Sequence, residues 1–268
     1  WILALSILAG VLGVSAAAWA MRVSPMVAEM TTTGSGSSAR IEVGNVGSVT
    51  LPFETSITRI SVNEAGEIIE TPAEENFLVF PPQGVVPVNG RQMVRVQWVG
   101  DPVLPVSEAY YLSVRQLPVA TEPDAPPEGG GSLNLTVLYN MKALLVVAPP
   151  GAEPDVRVVS VEPASIEQAA PPPVEGEPAV APPPPEPGVR ITVTNPGKRY
   201  ALMSGATWLL EGTTAGGQPW RKTIGGAELS AVVGVGYLAP AGGRREFLVP
   251  TDGVELDASK PLSLRFAR

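Results

Sequence analysis

FPPQGVVPVNGRQMVRVQW, residues 80–98, is the most informative stretch of this sequence. Two prolines stand near its start, a Pro-Val-Asn-Gly turn divides it, and the run Gln92–Trp98 has the alternating, β-branched character of a strand. Similar short runs, separated by Gly, Pro, Asn and Asp, recur along the chain: Ala39–Val43, Val49–Val62, Ala109–Gln116, Leu133–Val147, Val189–Thr194 and Arg244–Val249. Many short strands with such punctuation predict an all-β chain built from β-sandwiches.

Length and composition limit the possible architectures. At 268 residues the chain has room for about two domains of ~100–150 residues each. Its hydrophobic fraction of 44% is enough for packed cores, and its 28 glycines and 30 prolines suit a chain with many turns. A net charge of −8 argues against a nucleic-acid partner, because such a protein needs a basic face to neutralise phosphates.

The sequence contains no cysteine and no histidine. Disulfides, thiolate nucleophiles, Cys/His zinc sites and imidazole bases are therefore excluded, although a carboxylate pair or a Ser–Lys pair remains possible. Clusters of acidic residues lie in Pro-rich stretches, where solvation explains them: Glu122, Asp124, Glu128, Glu175, Glu177 and Glu186. We therefore expect no catalytic residue, no metal site, no cofactor and no enzymatic activity.

Residues 1–20, WILALSILAGVLGVSAAAWA, contain no charged residue and end in Ala18-Trp19-Ala20, a small-x-small pattern. This pattern predicts a secretory signal peptide, with the mature protein starting near Met21 outside the cytoplasm. The alternative is a membrane anchor, because ~20 apolar residues can span a bilayer. The abundance of Ala, Gly and Ser and the lack of a basic flank favour cleavage, and we expect contact with a membrane only through this segment.

Two Pro-rich stretches interrupt the strand pattern, and a third, shorter segment marks the end of a strand. Thr121–Gly131 (TEPDAPPEGGG) precedes a predicted strand, and Pro163–Gly188 contains PPPVEGEP and PPPPEP, which predicts a solvated loop of polyproline character. In the third, Ala148–Pro154 (APPGAEP), a strand ends in proline and glycine. We place the domain boundary there. The result is an N-terminal domain over residues 21–149 and a C-terminal domain over residues 150–268, with the Pro-rich loop inside the second.

Segments of both halves carry a more specific pattern. In Arg40–Pro52 (RIEVGNVGSVTLP) a strand ends in Asn and is followed by a turn and a proline. In Phe80–Trp98 a Pro-Pro element precedes a Gln-x-Val-Arg-Val strand. Ser107–Pro118 (SEAYYLSVRQLP) has paired aromatic residues followed by Arg-x-x-Pro. In order and spacing these segments resemble the N-terminal domain of the periplasmic pilus-assembly chaperones, the PapD-like family. Val189–Tyr200 (VRITVTNPGKRY) and Tyr237–Pro250 (YLAPAGGRREFLVP) are similar to strands of its C-terminal domain.

This resemblance implies two immunoglobulin-like β-sandwich domains in tandem and a location in the periplasm. It also implies that the chain binds pilus or surface-fibre subunits, which lack one strand and expose aggregation-prone sheet edges. Such a chaperone donates one of its own strands to the subunit before delivery to an outer-membrane usher. The alternative is a secreted structural or adhesive tandem β-sandwich protein without chaperone activity.

A donor strand needs apolar side chains at every second position, because successive side chains face opposite sides of a strand. Leu133, Leu135, Val137 and Tyr139 have this spacing and follow the Arg-Gln-Leu-Pro strand, as the donor strand does in the family. The resemblance therefore implies that these residues fill the subunit's groove. The alternative is an ordinary edge strand with one face in its own core.

The family also holds the subunit's C-terminal carboxylate with two basic residues in the cleft between its domains. Lys142, toward the end of the donor strand, is the candidate for one of them. If the family's pattern is aligned without gaps from Pro149, however, the position falls on Leu144. The second is an arginine in the family's first strand. When the sequences are aligned without gaps through Asn45, this chain has Glu29 at that position. This difference indicates either a divergent member with other cleft anchors, or a relative that no longer binds subunits in the usual way.

The resemblance gives Arg95, in the Met-Val-Arg-Val run, a separate role. In the family this arginine belongs to a charge cluster that holds the two domains at a fixed angle. Glu108 and Asp257 are the acidic partners that we expect for it. A simple surface ion pair, which contributes little to stability, is the alternative.

Overall fold

The computed structural model describes residues 21–118, 137–170 and 181–267. Within these ranges the chain forms eighteen β-strands and one α-helix, so the all-β prediction is confirmed. Three short 3-10 helices lie between strands, at Ser35–Ser37, Glu74–Asn76 and Met203–Gly205. The strands fall into two groups, one ending at Ala148 and the other beginning at Arg157, and each group forms its own sheets.

The first group, called here the first sandwich, contains ten strands. They are β1 (Met21–Ser24), β2 (Val27–Thr31), β3 (Ser38–Asn45), β4 (Leu51–Val62), β5 (Ile68–Pro72), β6 (Phe77–Phe80), β7 (Gln83–Val86), β8 (Arg91–Trp98), β9 (Glu108–Gln116) and β10 (Asn140–Ala148). One sheet has the antiparallel order β1-β3-β8-β6. The other has the order β2-β10-β9-β4-β5, with β7 also paired to β4, and its only parallel pair joins β2 to β10.

Aromatic packing joins the two sheets of the first sandwich. Val94, Val96 and Trp98 of β8 are buried, and the residues between them face outward, as the alternation predicts. Phe77 stands edge-on to Trp98, with ring centroids 5.1 Å apart, and edge-on to Tyr110 of the opposite sheet at 4.9 Å. Aromatic pairs in this geometry contribute about 0.5–1.5 kcal/mol beyond the burial of their area.

The second group, the second sandwich, contains the remaining elements. They are β11 (Arg157–Ile166), β12 (Glu186–Asn195), β13 (Ala201–Leu202), β14 (Thr207–Thr213), β15 (Pro219–Ile224), α1 (Gly226–Val233), β16 (Tyr237–Leu238), β17 (Gly243–Pro250) and β18 (Ser263–Ala267). Antiparallel sheets β11-β12-β17 and β15-β14-β18 and the pair β13-β16 enclose a second core. Its centre is the fully buried Trp208, whose ring lies 5.4 Å from that of Phe247 in one sheet and 5.6 Å from that of Phe266 in the other.

The loop expected over residues 163–188 is shorter than predicted. β11 continues through Pro163 to Ile166, and β12 begins at Glu186, so both ends of the segment pair with each other as an antiparallel hairpin. β11 is an edge strand of its sheet, where a proline without an N–H donor is tolerated. Residues 171–180 lie outside the described ranges.

Both sandwiches contain the same asparagine turn. Asn45, the last residue of β3, accepts a hydrogen bond from the Gly47 N–H (2.9 Å) and donates one to the Val49 carbonyl oxygen (2.7 Å). Asn195, the last residue of β12, makes the same contacts two and four residues further along, at 3.1 and 2.7 Å. An Asn side chain that bonds the backbone beyond it stabilises a tight turn, so the Asn-x-Gly sequence explains where both strands end.

Candidate functional site

Strand β10 has one edge that the described strands cover only partly. β9 pairs with one side of it from Asn140 to Val147, whereas β2 pairs with the other side only over Leu144–Ala148. On that second side the stretch Asn140–Ala143 therefore has no strand partner among the described residues. An open edge of this kind is a template for pairing with another chain.

Two of the four residues predicted to form the donor row, Val137 and Tyr139, come directly before β10. Leu133 and Leu135 are outside the described ranges. Val137 is 54% exposed, and Tyr139 is half-buried against the core of the first sandwich, as is Met141 two residues later. The described part of this segment therefore passes from an exposed apolar side chain at Val137 to core-packed side chains at Tyr139 and Met141.

Lys142 already has an acidic partner. Its ammonium lies 2.6 Å from Glu70 Oε1 and 5.6 Å from the centroid of the Tyr111 ring. Hydrogen bonds from Lys142 and then Thr58 hold the pKa of the Glu70 carboxyl below its usual value, against the opposing effect of burial. Leu144, the other candidate for this position, is buried among apolar side chains. A carboxylate that came to Lys142 would have to displace or share Glu70.

Glu29 binds the second sandwich. Its carboxylate lies 2.5 Å from the Arg199 guanidinium and accepts a hydrogen bond of 2.5 Å from the Tyr200 hydroxyl. Burial and this hydrogen bond raise the pKa of Tyr200 far above its usual value. An acidic residue thus stands where the resemblance implies a basic anchor, and it pairs with a cation from the other sandwich.

An apolar cluster surrounds this ionic contact. Four of its buried residues belong to the first sandwich and two to the second: Ile60, Ala109, Leu144 and Val146, with Tyr200 and Tyr237. The two tyrosine rings are stacked, 5.7 Å apart and inclined by 10°. Ser107 adds polar contacts, because its N–H donates to the Lys198 carbonyl oxygen and its hydroxyl oxygen accepts from the Tyr200 N–H, both at 2.9 Å. The sandwiches therefore meet through a packed interface.

The loop between β4 and β5 makes a second contact across the interface. Its Glu64 lies 3.1 Å from Arg244, and its Gly66 packs under the Arg245 guanidinium. Arg245 donates a hydrogen bond of 2.8 Å to the Tyr237 carbonyl oxygen, but its buried Nε atom has no hydrogen-bond partner within the described part of the chain. Burial lowers the pKa of this guanidinium. Arg245 thus connects the loop to the tyrosine stack.

The structure does not bring Arg95, Glu108 and Asp257 together. Glu108 begins β9 and pairs with Arg59 at 2.6 Å. Asp257 accepts hydrogen bonds from the N–H and hydroxyl of Ser259, which lower the pKa of its carboxyl. Arg95 projects from the outward side of β8, in the opposite sheet to β9, where no ion pair reaches it among the described residues. The interface is held by other charges.

Three basic residues of the interface are not among the site residues that the sequence predicts: Arg199, Arg244 and Arg245. A signal for them was available, since Lys198-Arg199 follows an Asn-Pro-Gly turn and Arg244-Arg245 stands near the start of a predicted strand. Adjacent basic residues at strand ends are common on surfaces, however. Arg199 and Arg244 pair with Glu29 and Glu64, which lie 170 and 180 positions away in sequence, so no local pattern selects them.

Within residues 21–118, 137–170 and 181–267, no group of three or more acidic, histidine or cysteine side chains is arranged to hold a metal ion. The same ranges contain no helix with the length and apolar character that crossing a bilayer requires.

Two all-β sandwiches in tandem, meeting at a packed interface, form the fold of the PapD-like pilus-assembly chaperones, and the expected resemblance is confirmed for the fold. The chain is similar to one in the structure of the Salmonella enterica SafA pilin in complex with the SafB chaperone, at 15% identity and a TM-score of 0.52, over 92% of this chain and 96% of that one. It is also similar to the class 5 fimbriae chaperone CfaA, at 12% identity and a TM-score of 0.50, over 93% and 99% of the two chains. No family model matches the chain, and no curated protein matches it.

Proposed function

We propose that this chain is a periplasmic chaperone that binds pilus or surface-fibre subunits by donating a strand to their incomplete immunoglobulin-like fold. The observation that carries the proposal is the edge of β10 at Asn140–Ala143, which has no strand partner in the described part of the chain and lies close to the exposed Val137. The fold shared with fimbrial chaperones supports it. No catalytic step, nucleotide or metal enters this function. Folding of the subunit on transfer to an outer-membrane usher would drive release.

The direction of the side chains explains how donation would work. From Met141 onward, every second residue of β10 faces the core of the first sandwich. A subunit strand that paired with the open edge would extend the sheet, and the same face would then continue as the subunit's core. Val137 has the same odd-numbered parity as these core-facing residues and is 54% exposed. Tyr139 is the first residue in the described part of this segment that packs against the core, so a subunit could cover the Val137 side chain. Leu133 and Leu135, which lie outside the described residues, have the same spacing in sequence.

Lys142 is the proposed anchor for the subunit's terminal carboxylate. A buried carboxylate needs a cationic partner, because leaving it unpaired in a low-dielectric site is costly. Lys142 lies on the donor strand and is partly exposed, but it is paired with Glu70. Capture would therefore exchange one carboxylate for another at the same ammonium group. Such an exchange makes Glu70 a competitor of the subunit.

The test of strand donation is a pull-down from the native host with the tagged chain Met21–Arg268. We expect wild type to co-purify a small all-β secreted protein, and Val137→Arg to lose it by at least tenfold, because the change puts a charge into the row that fills the groove. Leu138→Arg is the matched control, since Leu138 is similarly exposed at 47% but has the opposite parity. Equal capture by all three proteins would contradict donation. Capture of no partner at all would favour a structural or adhesive protein.

The anchor is tested with the same captured subunit. Lys142→Ala should weaken binding about tenfold, because the terminal carboxylate loses its cation. Glu70→Gln should strengthen binding, because it removes the competing carboxylate and leaves the shape of the side chain. If Glu70→Gln weakens binding instead, Lys142 is a surface ion pair and the carboxylate is held elsewhere.

A further inference from the structure

The outward side of the sheet β1-β3-β8-β6 is basic. Side chains alternate between the two faces of each strand, so Ile41 of β3 and Val94 and Val96 of β8 are buried while their neighbours along the strand lie on the outward side. Four arginines and one acidic residue stand on this side: Arg22, Arg40, Arg91, Arg95 and Glu42. No lysine lies there, and the chain as a whole has a net charge of −8. The face therefore has the opposite sign to the rest of the protein.

Most of this charge is not neutralised. Arg91 lies 3.5 Å from Glu42, but Arg22, Arg40 and Arg95 have no ion pair among the described residues. Arg40 and Arg95 are direct cross-strand neighbours. Like charges in that position destabilise a sheet, so the stability of the fold does not account for the arrangement.

Large apolar side chains stand beside these arginines. Phe80 is 72% exposed and is the cross-strand neighbour of Arg95, while Leu78 on the same strand is 61% exposed. Met93 of β8 is also exposed. Protein interfaces are enriched in arginine, aromatic residues and methionine and depleted of lysine, and arginine and aromatic residues dominate their binding energy. The composition of the face is that of a protein-binding surface.

We propose that this face binds an acidic protein surface that presents an apolar side chain to Phe80 and Leu78. Each arginine offers a planar fork that can bind a carboxylate through two hydrogen bonds. The 24 residues of the four strands cover about 400 Å² of sheet, from strands ~4.8 Å apart and residues ~3.3 Å apart. That area suits a transient contact rather than a permanent one. The proposal uses neither β10 nor the interface between the sandwiches, so it does not rest on the proposed function.

The test places the photo-crosslinker p-benzoylphenylalanine at position 78 of the full chain, expressed in its native host. We expect an adduct whose attachment site lies in an acidic segment of another protein. Arg40→Glu should lower the yield of that adduct at least fivefold, because it reverses one charge of the face. The same variant should melt at the same temperature or higher, because the new carboxylate stands opposite Arg95 and replaces a like-charge pair with an opposite-charge pair. If Arg40→Glu lowers the yield of the adduct but not the melting temperature, the lost adduct reflects weaker binding and not unfolding of the chain.

Arg157→Glu is the matched control, because Arg157 is an exposed strand arginine of the second sandwich. It should leave the adduct unchanged. Four results would each overturn the proposal: an adduct to phospholipid, an attachment site without acidic residues, no adduct at all, or equal losses of the adduct in Arg40→Glu and Arg157→Glu. Strand donation is unaffected by any of these results, since Arg40→Glu leaves β10 intact.

Discussion

The two asparagine turns are alike in sequence and geometry, but the residues that follow them make different contacts. Asn45 and Asn195 each end a strand, are almost completely buried, and each make three side-chain hydrogen bonds to backbone groups. The turn after Asn45 exposes Val46 and Val49 to solvent. The turn after Asn195 leads directly into Arg199 and Tyr200, which bind Glu29 of the other sandwich.

The difference shows that the turn alone does not determine what the residues after it contact. Asn-x-Gly fixes a local backbone path in both sandwiches. The following residues then determine whether that path ends at solvent or at another part of the chain. In the second sandwich they provide a guanidinium and a buried tyrosine hydroxyl, and a single carboxylate from β2 binds both.

Replacing the two asparagines has the largest expected effect. Asn45→Ala and Asn195→Ala should each lower the free energy of unfolding by about 3 kcal/mol, because each leaves buried backbone groups without their partner. Urea unfolding of the chain Met21–Arg268 measures both losses. A loss below about 1 kcal/mol at either position would mean that water or a shifted backbone replaces the side chain.

A double-mutant cycle with Glu29→Gln then separates the two turns. Asn195→Ala frees the backbone that holds Arg199, so it should couple to Glu29→Gln by at least about 0.5 kcal/mol. Asn45→Ala, which lies in a turn without contact to the interface, should be additive with the same change. Equal coupling for both asparagines would contradict the difference in contacts described above.

Local sequence was sufficient to predict several of the longer strands of the fold. The run Gln92–Trp98 became β8, because alternation of apolar and polar residues directly encodes which face of a strand is buried. The eight-residue helix Gly226–Val233 was missed, because its buried Leu229 and Val233 provide only one helical repeat. Helical periodicity is recognised over windows of about 11–18 residues, so a helix of two turns gives no usable signal.

The interface could not be predicted in the same way. Glu29 and Arg199 are 170 positions apart, and Lys142 and Glu70 are 72 apart. Nothing in a single sequence pairs such residues, since any acidic side chain is a possible partner for any basic one. The family resemblance indicated where a cleft should lie, but its charge cluster of Arg95, Glu108 and Asp257 is not the set of charges that the structure brings together.

The loop between β4 and β5 offers a second way to test the interface. Gly66 has a φ of +96°, and a Cβ atom there would lie 2.5 Å from Arg245 Nη2. Gly66→Ala should therefore cost about 1–2 kcal/mol of backbone strain and, in addition, push Arg245 away from its contact with Tyr237. Thermal melting measures the loss of stability, and small-angle scattering measures the change in the relative position of the sandwiches.

Gly34→Ala is the matched control for this change. Gly34 has a φ of +78°, but a Cβ atom there meets nothing within 4 Å. It should lower stability by the backbone strain alone and leave the scattering profile unchanged. If the two variants behave alike in both measurements, Arg245 has room to move and the loop does not position the second sandwich.

The smallest expected effect concerns the tyrosine hydroxyl of the interface. Tyr200→Phe should cost about 1 kcal/mol at neutral pH, because one buried hydrogen bond is lost while Glu29 keeps Arg199. Burial and the bond to Glu29 raise the pKa of Tyr200 above the ordinary tyrosine value of 10.0, so the folded chain holds this proton more tightly than the unfolded chain does. The resulting stabilisation is complete below pH ~10 and is lost as the pH rises from there toward the folded-state pKa, at up to about 1.4 kcal/mol per pH unit.

Tyr200→Phe should remove that slope, so the variant should approach the wild-type stability between about pH 10 and 11. Urea unfolding of wild type and variant across this range measures the difference. Tyr110→Phe tests the same rule inside the first sandwich, where burial and Glu108 raise the pKa of Tyr110. If only Tyr110→Phe changes the slope, Tyr200 titrates as an exposed side chain, and the contact between the sandwiches opens before the chain unfolds.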